Sequence, residues 1–72
     1  DDEQAIVAYG QAIVSEPDNA MAYFNRGSLY LLRENKAEAI ADFGKVIEIS
    51  DDDNMVEMAQ DRISELNDQE WD

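Results

Sequence analysis

Seventy-two residues with 18 acids, five bases and a net charge of −13 describe one small domain, short enough to bury only about 60% of the surface its unfolded chain exposes. The chain has no cysteine and no histidine, which excludes disulfides, thiolate metal sites, thiol nucleophiles and the commonest general base. The charge is unevenly spread: residues 1–25 carry five acids and no base, 26–50 balance four of each, and 51–72 hold nine acids against one base. Such a field repels phosphate backbones and anionic lipid, so nucleic acid and membranes are not expected partners.

The first helix is expected over about Asp2 to Ser15, with acids in its first turn and Pro17 of "SEPDN" barring continuation. Asp18 or Asn19 can cap a second helix, about Ala20 to Arg33. Asn35 then caps a third, Lys36 to Ile49, and after "SDDDN" Asp53 caps a fourth, about Asn54 to Asn67. Ala5, Ile6, Tyr9, Ala12 and Ile13 recur at helical spacing, as do Ala39, Ile40, Phe43, Val46 and Ile47. No segment alternates with period two, and links of two to five residues favour antiparallel neighbours. The expected fold is therefore all-α. The tail "NDQEWD" and its Trp71 are expected to be a disordered end.

Helices one and three superimpose at a shift of 34 residues. Ala5 falls on Ala39, Ile6 on Ile40, Tyr9 on Phe43, Gly10 on Gly44 and Ile13 on Ile47, and the same shift relates Met21 to Met55, Leu29 to Ile63 and Leu32 to Leu66. The chain is an internal repeat.

Tyr23, Gly27, Tyr30, Ala39 and Phe43 occupy the spacing of the tetratricopeptide repeat, and the chain resembles that family. Tyr23 stands for the family's tryptophan, Arg26 for its leucine and Asp51 for its final proline. The resemblance implies an antiparallel helix-turn-helix array: residues 1–19 as the second helix of a partial repeat, 20–53 as a complete repeat, and 54–72 as a terminal capping helix and acidic tail. It also gives Gly27 a cause, since an interior glycine suits close approach of the two helices of a repeat, here near the small Ala39.

No catalytic, cofactor or metal site is expected. "DDDN", Asp51 to Asn54, lacks the glycine and glutamate of a calcium loop, with Val56 and Arg62 at those positions. The acids are expected mostly on polar faces where nothing perturbs them, and no glycine loop cradles phosphate. An enzyme is not expected.

The expected function is protein or peptide binding. The family's ligand-facing positions correspond to Met21, Phe24, Asn25, Ser28 and Leu32, and Met55 and Met58 can extend that stripe into a methionine-rich patch. Packing of Phe24 and Leu32 against neighbouring helices is an equal alternative. A carboxylate clamp is not expected, because Met55 and Ala59 stand where its basic residues belong. A second functional reading is self-association through Val7, Gly10 and Val14, apolar positions where a surface helix should carry charge. The chain opens at Asp1 without methionine, as an excised or designed domain or a processed product would, and nothing in it specifies a compartment.

Overall fold

The computed structural model describes residues 1–68, and Trp71 lies outside them. Four helices follow in order: α1 (Asp2–Ser15), α2 (Ala20–Leu32), α3 (Lys36–Ile49) and α4 (Asp53–Asp68). Both ends of α1 and α3 differ by 34 residues, so the period seen in the side chains is also a period of the backbone. Sequential helices pack pairwise, α1 on α2, α2 on α3 and α3 on α4, and the stack measures 39 × 29 × 14 Å.

The helix boundaries have local causes. Asp1 accepts from the Glu3 amide at 3.0 Å, and α1 stops two residues before Pro17. Of the two candidates for the second cap, Asn19 is used: its Oδ1 accepts from the Ala22 amide at 3.1 Å. Two expected caps differ. Asn35 makes no side-chain cap bond; its own amide donates to the Tyr30 carbonyl at 2.9 Å and its carbonyl accepts from Ala39. That turn is closed by the backbone, with Glu34 in the left-handed region at φ 61°. At α4 the cap is Asp52 rather than Asp53, accepting from the Asn54 and Met55 amides at 3.0 and 3.4 Å. The Asp52 amide is in turn held by Ser50 Oγ at 3.0 Å, which shifts the start of the helix by one residue.

The core lies between α3 and its two neighbours. Ala39, Phe43 and Val46 of α3 are fully buried with Ala59 and Leu66 of α4, and Tyr23, Phe24, Tyr30 and Leu31 of α2 pack against them. Burying Phe43 alone contributes about 1.5–3 kcal/mol. In contrast, α1 has no buried residue at all.

Gly27 is buried at the α2–α3 contact. A side-chain Cβ there would stand 3.1 Å from Asp42 Cβ and 3.2 Å from Phe43 Cε1. The close neighbours are thus Asp42 and Phe43, one turn beyond the Ala39 expected from the sequence. Gly44 has open space where a Cβ would go. The two glycines should therefore respond oppositely: Gly27→Leu should cost about 1–3 kcal/mol by overpacking, whereas Gly44→Ala should add about 0.5–1 kcal/mol. Thermal unfolding followed by circular dichroism checks both; equal shifts of one sign would refute the close-approach argument.

Candidate protein-interaction surface

The electrostatic centre of the molecule is on α2. Arg26 donates from Nε and Nη2 to Asp42 Oδ2 and Oδ1, both at 2.8 Å, a two-pronged pair whose Asp42 side chain is only 5% exposed. The same guanidinium lies 5.6 Å from the Tyr23 ring centre and 5.8 Å from that of Tyr30, its neighbours at i−3 and i+4. The Asp42 hydrogen bond raises the Arg26 pKa further; desolvation opposes this, and the charge of Asp42 adds to it. Folding thus favours the charged guanidinium, a contribution fully present at neutral pH and lost only in strong alkali. Asp42, buried on α3, is the exception among acids expected mostly on polar faces. Arg33, at the far end of α2, reaches back to Glu3 of α1 at 3.2 Å, so α2 is tied by charge to both neighbours.

The residues expected to face a ligand divide by burial. Met21 and Leu32 are exposed, as is Met58 on α4. Phe24 is half-buried with its ring edge-on to Phe43, centroids 5.5 Å apart, and Met55 packs on the same core. Ser28 is half-buried and donates to the Phe24 carbonyl at 3.0 Å, while Asn25 is also half-buried. Phe24 therefore packs on the neighbouring helix, and Leu32, 75% exposed, does not.

The expected self-association residues also divide. Val7 and Val14 are exposed, at 58% and 81%. Gly10, at the edge of the same face, is half-buried, and a Cβ there would meet Arg26 Nη1 at 3.6 Å. It belongs to the α1–α2 contact, so the exposed strip consists of the two valines. A shallow hollow at the start of α1, about 380 Å³ and open to solvent, is lined by Asp1, Glu3, Gln4 and Val7; it includes no residue of the α2 stripe.

A tetratricopeptide repeat family model matches residues 20–53, and a second model, described as TPR repeat, matches residues 1–33. The chain belongs to the tetratricopeptide repeat family. Curated proteins and solved structures give no match. Tetratricopeptide repeats generally mediate protein–protein interaction or scaffolding, and the helix-turn-helix fold of this chain is that of the family. No described helix is long and apolar enough to cross a membrane.

Sequence reasoning recorded Arg26 as a departure from the repeat pattern and missed its partner. The signal was available: an arginine flanked at i−3 and i+4 by tyrosines does not lie on a purely solvated face, and Asp42 interrupts the apolar stripe of α3. Arg26→Ala should cost about 3 kcal/mol by leaving Asp42 buried without its partner. The Arg26→Ala, Asp42→Ala double variant should be more stable than the sum of the single losses by about 1 kcal/mol or more. Urea unfolding of the four proteins measures the coupling, and strict additivity would mean that the pair holds nothing.

Proposed function

We propose that the chain is an interaction module that takes an apolar peptide along α2 and α4, with Met21, Phe24, Asn25, Ser28, Leu32, Met55 and Met58 as the contact set. The observation that carries this reading is the exposure of three large flexible side chains, Met21, Leu32 and Met58, on two helices that the 34-residue shift makes equivalent. Unbranched thioethers adapt to varied apolar surfaces at small cost. Phe24 and Met55, half in the core, would give the patch a rigid floor. In this reading residues 1–19 complete no repeat of their own, 20–53 form the full repeat, and α4 caps it with an acidic outer side.

A second reading, favoured by the exposure of Val7 and Val14, is homodimerisation through α1. Both predict distinct sedimentation behaviour. With a panel of apolar peptides, a monomer that saturates with one peptide and loses affinity at least tenfold in Met21→Glu, Met58→Glu supports the first. A dimer that forms without peptide and disappears in Val7→Glu, Val14→Glu supports the second. A monomer at high concentration that binds none of the peptides would count against both.

A further inference from the structure

The 34-residue repeat gives α2 two nearly equivalent helices to pack on. The buried positions of α3 are Ala39, Asp42, Phe43 and Val46, and the same register on α1 holds Ala5, Ala8, Tyr9 and Ala12. Alanine matches alanine, and one ring matches another. Connectivity does not separate the two helices either: residues 16–19 join α1 to α2 and residues 33–35 join α2 to α3, and loops of such similar length close at similar cost. The position that differs in kind is Asp42 on α3 against Ala8 on α1.

We propose that the Arg26–Asp42 pair is a selection device: it decides that the Gly27 face of α2 packs on α3 and not on α1, whether in the same molecule or in another copy. Arg26 brings its charge to the contact already oriented, because Tyr23 and Tyr30 of its own helix lie against the guanidinium at 5.6 and 5.8 Å. On α3 it meets both oxygens of Asp42 at 2.8 Å. Set in the same way on α1, it would meet the methyl group of Ala8, and a charge turned inward without a partner costs far more than an apolar mismatch. Tyr9 adds a smaller penalty in the same sense. Its hydroxyl is carried by the ring carbon that, in Phe43, lies 3.3 Å from where a Gly27 Cβ would stand.

The repeat also makes α4 a competitor for the place of α2, and α4 is refused at two positions. Gln60 stands where α2 has Arg26, which would strand Asp42, and Asp61 stands where α2 has Gly27, at a contact where even a Cβ is tight. Of the ways to set α2 or α4 on α1 or α3, only α2 on α3 matches cation to carboxylate. Every other strands a charge or puts Asp61 in the place of Gly27, so the choice is made by penalising the alternatives. Selection is separate from stability: an apolar pair in place of Arg26 and Asp42 can keep the helices packed and leave the choice between α1 and α3 open. The inference rests on which residues face each other inside the complete repeat, not on any uncovered surface, and it does not depend on peptide binding along α2 and α4.

The neighbour of Gly27, read from nuclear Overhauser contacts of its Hα protons in the 72-residue chain, reports the choice. The unaltered chain should show one set of amide resonances, with contacts from Gly27 to the Phe43 ring and none to Tyr9. Arg26→Leu with Asp42→Ala removes both charges together; it should stay helical and give a second set, about a tenth or more of the total, with contacts from Gly27 to the Tyr9 ring. Moving the carboxylate, by Asp42→Ala with Ala8→Asp, should make that second set the major one. If either double variant unfolds, Ala8→Asp alone decides, because it alters an exposed position and leaves the native pair in place. It should create the second set by offering Arg26 another carboxylate, and Ala8→Asn, of the same shape without the charge, should not. The proposal is overturned by a single set of resonances with only Gly27–Phe43 contacts in a folded double variant, by that same result for Ala8→Asp, or by equal effects of Ala8→Asp and Ala8→Asn.

Discussion

The close approach of α2 to α3 is the constraint on which the remaining contacts depend. Gly27 lets the two backbones come near enough for the Phe43 ring to fill the space a side chain would need. That proximity brings Arg26 within 2.8 Å of Asp42, so one missing Cβ positions both the largest apolar contact and the strongest polar one. Tyr23 and Tyr30 then flank the guanidinium, shielding a charged pair that would otherwise be wet and weak. Everything fully buried on α3 lies on or beside this contact.

Burial fades away from it. α3 has neighbours on both sides and contributes four buried residues; α4 contributes two, and α1 none. Since α1 and α3 have similar apolar patterns, the difference arises from what surrounds each helix rather than from its own sequence. A repeat helix is only as buried as its neighbours make it. Tyr9 and Phe43 illustrate this: nearly the same ring at the same register, half-open in one helix and sealed in the other.

The helices were legible because their signals are local. Pro17 and the apolar stripes located α1 and α3 correctly at both ends, and the period of 34 named the fold through pairs such as Gly10 with Gly44. The misses are of another kind. Whether Asp52 or Asp53 caps α4 depends on how Ser50 holds the preceding turn, and Asn35 is unused because the Glu34 backbone turns left-handed. Neither is a property of residue type. Gly10 looked like part of an outer apolar strip, yet it is turned toward Arg26, because side-chain spacing fixes a face only to within a broad arc. The Arg26–Asp42 pair joins two helices across 16 residues, a separation no helical periodicity reports. For Phe24 and Leu32 the sequence left ligand contact and packing on a neighbouring helix equally open, and three dimensions divide them: Phe24 packs on Phe43 and Leu32 stays outside.

The pairing of the bases has a consequence for the molecule as a particle in solution. Arg26 is turned inward to Asp42, and Arg33, Lys45 and Arg62 each lie against a carboxylate of their own surface, Glu3, Glu48 and Glu65. Among the described residues four of the five bases are thus neutralised at short range, Lys36 being the fifth, and the field that extends outward is that of the surplus acid. At a distance the domain behaves as a small polyanion with a counterion cloud rather than as a mosaic of patches. Encounters between copies are held off by that cloud, and dissolved salt, by thinning it, sets how closely they can approach.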